Sequence, residues 1–300
     1  MLKQSLAAPW TDIAQQINRF DSDFRIQAIY PIGGGCINET YQIHGQSTDY
    51  FVKLNQASFH TTFAAEAAGL IEIQKTQTIR VPEPKCYGCN TAQAWLVLEY
   101  IELKQATKQS YRVLGEQLAA LHRVTTQQFG WSRDNAIGAT PQKNQLSSNW
   151  IDFWRHQRLG YQLQLARQKG YDGKLQQLGE KLLTNLDSFF SDQSILPSLL
   201  HGDLWGGNCA FDQTGQPVIY DPAVYYGDRE TDLAMTELFG GFPPDFYESY
   251  QEAYPMDSGY KSRKTLYNLY HILNHLNLFG GGYLRQAEQM QTKLLAELYP

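Results

Sequence analysis

The spacing of apolar residues changes near residue 103, and this change constrains the fold more than any other feature of the chain. Before it, short segments alternate apolar and polar residues, which is typical of half-buried strands. The strands predicted in this part lie at 25–32, 39–45, 50–54, 85–88 and 94–99. Two amphipathic helices are predicted among them, at 10–20 and 62–76.

Beyond residue 103 the apolar residues recur every three or four positions, as in the run of Tyr111, Leu114, Leu118 and Leu121. This spacing is typical of helices. Further helices are predicted at 149–168, at 173–190 and around 266–276, the last ending at the glycines 280–282. The sequence therefore predicts an α+β protein with a small β-rich lobe over 1–100 and a large, mostly helical lobe over 101–300. Because clefts between lobes are favoured ligand sites, we expect a site near residues 99–101.

Composition excludes several classes of protein. The chain of 300 residues is 42% apolar and carries 25 Lys+Arg against 30 Asp+Glu, for a net charge of −5. This balance argues against a disordered chain and against a general partner of nucleic acids or anionic membranes. Its apolar runs, such as AWLVL at 94–98, are shorter than the roughly 18 residues that cross a bilayer. We therefore expect a cytoplasmic protein with a small-molecule substrate.

The four cysteines do not form a recognisable framework. They are too few for a disulfide scaffold in a chain of this length. Cys86 and Cys89 have the C-x-x-C spacing, but no second cysteine or histidine pair accompanies them to complete a zinc site. Two ordinary cysteines in a strand and turn are expected there.

The segment 201–208, which reads HGDLWGGN, concentrates the groups that carry chemistry. Asp203 and Asn208 stand five residues apart, and Asp221 follows a short apolar strand farther on. One carboxylate would act as a base, while an amide oxygen and a second carboxylate would hold a hard divalent cation. This is the set of groups that phosphoryl transfer requires.

The first lobe supplies matching groups. Lys53 is an isolated cation in an apolar strand, and Glu66 stands 13 residues later on a predicted helix, from which it would pair with Lys53. Gly33, Gly34 and Gly35 join the first two strands and would cover phosphates with their N–H groups. Taken singly, each feature has a simpler structural explanation, but their order along the chain is that of protein-kinase-like enzymes.

At this point the sequence resembles the fructosamine kinase, or ketosamine-3-kinase, family, which is related to the aminoglycoside phosphotransferases. The resemblance covers nearly the whole chain. The segments that carry it are 33–38, 98–100, 118–122, 129–144, 150–158, 201–208 and 221–234. It implies a bilobal protein-kinase-like fold and an ATP-dependent kinase that phosphorylates the sugar 3-hydroxyl of ketosamines. The substrates implied are ribulosamine, erythrulosamine or fructosamine adducts, and the role implied is protein deglycation.

The resemblance also implies roles for individual residues. Asp203 would be the catalytic base, with Asn208 and Asp221 as Mg²⁺ ligands. Lys53 would contact the phosphates of ATP and Glu66 would hold it. Glu99, Tyr100 and Ile101 would bind adenine through backbone groups. Two alternatives stay open: a kinase for another hydroxylated amine (aminoglycoside, choline or homoserine), and an ATP-binding pseudokinase scaffold.

Several neighbouring residues receive weaker predictions. Trp205 is either a core residue or a platform for the sugar and its amine adduct. His201 is expected to support its loop by hydrogen bonding, and His122 to be a core histidine with its partners satisfied. Many family members have histidine in place of Asp228, which leaves its role open, while Arg229 and Asp232 are expected to support the loop.

Cys36 lies at the tip of the glycine turn. It is either a small turn residue or a redox-sensitive thiol, because the N–H groups and lysine that favour phosphate also favour a thiolate. The oligomeric state is accordingly left as a monomer or a homodimer linked through Cys36.

Overall fold

The computed structural model describes residues 9–33, 37–190 and 194–298. Its first part is a five-stranded antiparallel sheet in the order β1-β2-β3-β5-β4. The elements of this part are α1 (Trp10–Ile17), β1 (Ala28–Ile32), β2 (Glu39–His44), β3 (Asp49–Gln56), α2 (His60–Thr76), β4 (Pro84–Cys89) and β5 (Gln93–Glu99). All the strands and both helices that the sequence predicts here are present.

The two faces of this sheet have different partners because successive side chains of a strand point to opposite sides. On β3, Tyr50, Val52 and Leu54 belong to a small core that includes Ile13 and Ile17 of α1. Phe51 packs against the main core, to which α2 contributes. Lys53 is two residues from Phe51 and therefore faces α2.

The remainder of the chain is mostly helical, with short strands that shape loops. Its strands are β6 (Leu103–Lys104), β7 (Asn135–Ile137), β8 (Thr140–Gln142), β9 (Ser198–Leu200), β10 (Cys209–Asp212), β11 (Pro217–Ile219) and β12 (Tyr225–Gly227). Its helices are α3 (Lys108–His122), α4 (Trp150–Phe153), α5 (Gly160–Gln168), α6 (Lys174–Thr184), α7 (Glu230–Leu238), α8 (Pro244–Ala253), α9 (Tyr260–Phe279) and α10 (Tyr283–Leu298). The α+β prediction is confirmed, while the lobe boundary at residue 100 stays a prediction.

The helix predicted over 149–168 is not a single α-helix. A π-helical turn at Trp154–Leu159 separates α4 from α5, and it carries the buried Arg158. Such a turn inserts one residue into the helix, and a single insertion is too weak a signal to be recognised from apolar spacing over a short segment. The prediction over 173–190 likewise divides, because α6 ends at Thr184 and a short 3₁₀ turn follows.

Helix α9 runs through the middle of the helical part and packs against α5, α7 and α10. It ends as predicted at Gly280, whose φ of +67° is in the left-handed region and whose N–H donates to Leu276 O at 2.9 Å. Within the ranges that the structure describes, no helix is long and apolar enough to cross a membrane.

The segment after β5 is joined to the loops of the second part. Strand β6 pairs with β10, which also pairs with β11, so that residues 103–104 form the edge of a three-stranded sheet. Arg80, in the first part, donates to Asp212 Oδ2 at 2.6 Å and to Glu99 Oε1 at 2.7 Å. The Arg80 carbonyl accepts from Ile219 N at 3.0 Å. The β10–β11 hairpin is therefore held directly to the first part of the chain.

Candidate active site

Lys53 and Glu66 meet beneath the sheet. Lys53 Nζ donates to Glu66 Oε1 at 2.6 Å, and it also donates to the Asp221 carboxylate, although Lys53 and Asp221 are 168 residues apart. The Lys53 side chain is only 3% exposed. Burial alone would lower the pKa of Lys53, but the charges of Asp221 and Glu66 outweigh it and raise that pKa. The lysine is therefore a fixed cation that joins both parts of the chain.

The HGD segment, residues 201–203, takes its conformation from Gly202 and from the carboxylate of Asp232. Gly202 has φ of +84°, and a Cβ atom there would lie 2.1 Å from Ala223 O. Asp232 accepts hydrogen bonds from His201 N at 2.7 Å and from Gly202 N at 2.8 Å. The loop can follow this path because residue 202 has no side chain and because Asp232, at the start of α7, satisfies two of its N–H groups.

His201 supports the same loop, as predicted. Its Nε2 donates to Tyr220 O at 2.9 Å, and its Nδ1 accepts from Asp203 N at 3.3 Å. Since a carbonyl oxygen only accepts, the proton is assigned to Nε2. Burial lowers the pKa of His201, which keeps the ring neutral near pH 7. His122 is a core histidine, with Tyr250 Oη at 2.8 Å and Asp232 at 3.2 Å.

The β10–β11 hairpin brings Asn208 and Asp221 together. Cys209 pairs with Ile219 in the hairpin, and Tyr220 N donates to Asn208 O at 3.1 Å, so the residues at the two open ends are neighbours. Asp221 has φ of +58°, a left-handed conformation that aspartate tolerates better than most residues. A non-glycine residue held in this region is a feature often found at functional sites.

Asp203 completes this group. Asn208 Nδ2 donates to Asp203 O at 2.9 Å and to its carboxylate at 3.3 Å. Burial and the charge of Asp221 raise the pKa of Asp203 to about 7. A buried carboxylate whose ionisation is opposed by a neighbouring charge forms an environment that a cation would stabilise.

The same residues suit a hard divalent cation. Asn208 bonds to Asp203 through its Nδ2 atom, and within the described ranges no hydrogen bond is made to its Oδ1 atom. This amide oxygen and the Asp221 carboxylate, whose side chain is 44% exposed, supply the oxygen donors that Mg²⁺ prefers.

The three residues expected to bind adenine differ in which of their groups are free. Glu99, Tyr100 and Ile101 are all half-buried at the end of β5 and just after it. The Glu99 N–H donates to Glu83 O at 2.8 Å and its carboxylate accepts from Arg80, so neither group is available to adenine. The contacts with adenine expected of this segment would therefore have to come from other backbone atoms, and they stay a prediction.

The glycine turn is described only in part. Gly33 is exposed after β1, with open space around it, while Gly34, Gly35 and Cys36 lie outside the described residues. The returning strand is held by Asn55, whose Nδ2 donates to Ile37 O at 2.9 Å and to Asn38 Oδ1 at 2.8 Å. Asn55 was not predicted from the sequence, although it stands two residues after Lys53 on β3.

Trp205 lies at the surface next to the HGD segment. Its side chain is 38% exposed, so it is not a core residue. The indole folds over Gly207, where a Cβ atom would lie 2.3 Å from two of its ring atoms. The ring edge approaches Phe239, with 6.2 Å between centroids.

Two neighbouring aspartates and an arginine differ in their partners. Asp232 supports the HGD segment, as expected. Arg229, which directly precedes α7, donates to Tyr254 O at 2.9 Å and Pro255 O at 2.5 Å, where α8 ends. It thereby holds the segment before α7 to the end of α8. Asp228 accepts from Tyr267 Oη at 2.5 Å and Glu230 N at 3.0 Å, which gives it a structural role at the start of α7.

Comparison with known proteins identifies the family of this chain. The family model described as fructosamine kinase matches residues 9–297. The chain belongs to the fructosamine kinase family. It is 50% identical to a probable ketoamine kinase of Synechocystis over 96% of this chain and 97% of that protein. It is 42% identical to the chloroplastic protein-ribulosamine 3-kinase of Arabidopsis thaliana over 88% of this chain and 81% of that protein.

Solved structures agree with this family assignment. A putative fructosamine-3-kinase from Haemophilus somnus superposes with a TM-score of 0.88 at 30% identity, covering 95% of this chain and 97% of that one. A choline kinase from Streptococcus pneumoniae has a TM-score of 0.65 at 16% identity over 96% of this chain and 99% of that one, a likeness of fold alone. The predicted protein-kinase-like fold is confirmed. As a member of the fructosamine kinase family, the chain is an ATP-dependent phosphotransferase.

Proposed function

We propose that this fructosamine kinase family member transfers the γ-phosphate of ATP to the sugar 3-hydroxyl of a ketosamine, with Mg²⁺ bound. The observation that carries the proposal is the meeting of Lys53 with Asp221 beside Asp203 and Asn208. A cation, two carboxylates and an amide group thus converge beneath β3, the middle strand of the five-stranded sheet. A pseudokinase scaffold needs none of these four side chains, so their convergence favours an enzyme.

Asp203 is the proposed base. A pKa of about 7 suits a carboxylate that accepts a proton near neutral pH. As the proton of the sugar hydroxyl moves to Asp203, the hydroxyl oxygen forms a bond to the γ-phosphorus and the bond from that phosphorus to the β–γ bridging oxygen breaks. ADP leaves with the electron pair of the broken bond, and protonated Asp203 later releases its proton to water.

The negative charges of the ATP phosphates require cations close to them. Lys53, held by Glu66, would contact the phosphates of ATP, and Asn208 and Asp221 would hold the Mg²⁺ ion. Bound there, Mg²⁺ would neutralise charge on the phosphate oxygens. The N–H groups of the turn at 33–35 would contact the same phosphates.

The sugar is proposed to be ribulose or a close relative. The plant relative is named for protein ribulosamines and the bacterial one for ketoamines. Trp205, two residues after Asp203 and half-exposed, would lie against the apolar face of the sugar. Phosphate on the sugar 3-hydroxyl promotes loss of the sugar from the amine, which makes protein deglycation the proposed role.

A substrate panel with matched variants tests this proposal. ATP consumption is measured with fructosyl-, ribulosyl- and erythrulosyl-amines, and with choline, homoserine and an aminoglycoside. We expect turnover with ketosamines, and we expect Asp203→Asn to lower kcat by about 10²–10⁴-fold. Asp172→Asn, which changes an aspartate whose side chain is 69% exposed, is the control and should match the wild type.

Three outcomes would contradict parts of this proposal. Turnover only with choline, homoserine or the aminoglycoside would support another amine kinase. Near-normal turnover by Asp203→Asn would rule out its role as the base. Full activity in the presence of excess EDTA would rule out a divalent metal.

A further inference from the structure

Five polar side chains form a hydrogen-bonded network next to the segment that follows Asp221. They lie on the β7–β8 hairpin and just after it, in the π-helical turn, and on α9. We call them the amide network: Asn135, Gln142, Asn144, Arg158 and Tyr270. Asn135 is half-buried, and each of the other four has at most 2% of its surface exposed. The reaction proposed above uses none of them.

Two members of the network hold the main chain after Asp221. Gln142 Nε2 donates to Ala223 O at 3.0 Å, and Asn135 Nδ2 donates to Val224 O at 2.8 Å. Asn135 and Gln142 are paired across the β7–β8 hairpin, so their side chains lie on the same face of it. The two carbonyls belong to the second and third residues after Asp221. The hairpin is therefore bonded to the chain directly beyond a proposed metal ligand.

This part of the chain needs support because of the conformation of Asp221. Its φ of +58° lies in the left-handed region, and a residue stays there only where its surroundings hold it. His201 holds the chain at Tyr220, just before Asp221, and the His201 carbonyl accepts from Ala223 N at 2.8 Å. The amide network adds the bonds to the Ala223 and Val224 carbonyls. The main chain is thus held on both sides of Asp221.

Arg158 determines the direction of the bonds in the network. An amide side chain can flip, which exchanges its donor and its acceptor, whereas a guanidinium has only donors. Arg158 Nη2 donates to Asn144 Oδ1 at 2.7 Å, which leaves Asn144 Nδ2 to donate to Asn135 Oδ1 at 2.9 Å. Asn135 Oδ1 also accepts from Gln142 Nε2 at 2.9 Å. Asn135 must therefore present its Nδ2 atom to Val224 O, since a flipped amide would place two acceptors against each other.

Tyr270 fixes the orientation of Gln142 from the opposite side. Tyr270 Oη donates to Gln142 Oε1 at 2.7 Å, which leaves Gln142 Nε2 to face Ala223 O. Burial raises the pKa of Tyr270, so its hydroxyl keeps the proton that it donates. Arg158 and Tyr270 therefore enforce the same set of amide orientations from two sides of the network.

Arg158 is a buried cation, and its surroundings stabilise it. Its Nη1 donates to Lys143 O at 2.5 Å, and its guanidinium carbon lies 4.0 Å from the centroid of the Tyr225 ring and 4.6 Å from that of Phe153. Carbonyl oxygens and ring faces stabilise a cation that is removed from water. π-helical turns occur frequently at functional sites, and this one carries the group that orients the network.

We infer that Gln142 and Asn135 are positioning residues for the metal ion, because they fix the main chain after Asp221 and with it the direction of the Asp221 carboxylate. Arg158 acts one step farther away by orienting both amides. The inference rests on the proposed function and adds to it the residues that hold one Mg²⁺ ligand in place. Partners that orient a metal ligand contribute about 10–100-fold to metal affinity, so their loss should weaken metal binding and not only lower the stability of the fold.

The test measures nucleotide binding at equilibrium, without turnover. Titration calorimetry gives the Kd of ADP in excess EDTA and in excess Mg²⁺, and the ratio of the first to the second isolates the contribution of the metal. We expect a ratio well above one for the wild type. Gln142→Met keeps the length of the side chain but cannot donate to Ala223 O, and it should lower the ratio by about tenfold. Asn135→Leu, which cannot donate to Val224 O, should lower it as well.

Gln176 provides a matched control on α6. It is also a buried glutamine, and its Nε2 donates to Leu163 O at 3.0 Å and to Tyr171 O at 2.8 Å. Gln176→Met should lower the melting temperature as Gln142→Met does, but it should leave the ratio unchanged. Arg158→Met, which frees Asn144 to flip, should lower the ratio. Melting temperatures identify any variant that fails to fold, in which case Asn135→Leu, at a half-buried position, carries the test.

The possible failures are distinguishable. If the wild type binds ADP equally well with and without Mg²⁺, the metal part of the proposed function fails and the inference fails with it. If the wild type prefers ADP with Mg²⁺ but Gln142→Met and Asn135→Leu keep the ratio within twofold of the wild type, the inference is wrong and the proposed function stands. The same conclusion follows if Gln176→Met lowers the ratio as much as Gln142→Met.

Discussion

Replacing Gly202 with alanine tests how the HGD segment is held. Gly202 has φ of +84°, and its Cβ would lie 2.1 Å from Ala223 O and 2.8 Å from Ala223 C. Both neighbours are backbone atoms, so no rotation of a side chain relieves the contact. Gly170 provides a matched control, because its φ is +87° but a Cβ atom there would have no neighbour within 4 Å.

The two variants separate backbone strain from the steric contact. A side chain in the left-handed region costs about 1–2 kcal/mol, so Gly170→Ala should lower the free energy of unfolding by about 1 kcal/mol. Gly202→Ala has the same strain and must also move the loop away from Ala223, which weakens the hydrogen bonds from His201 and Gly202 to Asp232. Each such bond to a charged group contributes about 1.5–3 kcal/mol, so we expect a total loss of about 3 kcal/mol or more.

Thermal melting and steady-state kinetics measure these effects. At about 2–4 °C for each kcal/mol, Gly170→Ala should melt about 3 °C below the wild type and Gly202→Ala about 9 °C below it. Because a displacement of about 1 Å at a catalytic group costs about 10²-fold in rate, Gly202→Ala should also lose about 10²-fold in kcat, and Gly170→Ala should not. If the two variants melt together and both stay active, the contact with Ala223 does not hold the loop.

Further predictions concern the charged residues of the site. Burial opposes ionisation of Asp232, but the hydrogen bond and charge of His122 lower its pKa, so its contribution to stability is present above about pH 4 and is lost as the pH falls further. Urea unfolding should show Asp232→Asn about 2–3 kcal/mol less stable at pH 7, and the difference should shrink as the pH falls below about 4; a difference that stays constant as the pH falls below about 4 would contradict this. Lys53→Met should lower kcat/KM for ATP by about 10²–10³-fold, whereas Lys108→Met, at an exposed helix start, should not; equal effects would argue against phosphate contact by Lys53. Asn208→Ala should raise the Mg²⁺ concentration for half-maximal activity about tenfold in a titration, and an unchanged midpoint would remove Asn208 from the metal site.

The sequence predicted the parts of the site that lie close together on regular elements. The pairing of Lys53 with Glu66 followed from a strand and the helix after it, because β3 alternates its side chains and α2 covers one face. The loop at 201–208 was identified because its residues are consecutive. His201 could be assigned to its supporting role from chemistry alone, since a neutral ring beside a carboxylate base suits a hydrogen-bonding role.

Contacts between distant segments were beyond the reach of the sequence. The Lys53–Asp221 contact joins residues 168 positions apart and depends on how the two parts of the chain pack. The contact between Trp205 and Phe239 was missed for the same reason, since Phe239 directly follows α7 and Trp205 lies in the loop at 201–208. The partners of Arg229 could not be predicted, because the reach of a long side chain does not fix its direction. The π-helical turn around Arg158 was missed because one inserted residue changes the apolar spacing too little to be recognised over a short segment.

The attachment of Arg80 bears on how sequences of this kind can diverge. One guanidinium joins Glu99, at the end of β5, to Asp212, in the β10–β11 hairpin. This hairpin lies between Asn208 and Asp221 in the sequence and makes them neighbours in space. Loss of Arg80 alone would leave Asp212, whose side chain is only 9% exposed, without its cation. Substitutions at these three positions should therefore be inherited together, as a correlated set that can be sought in any collection of related sequences. A lineage that changes one of them alone would be expected to restore the set with a second change.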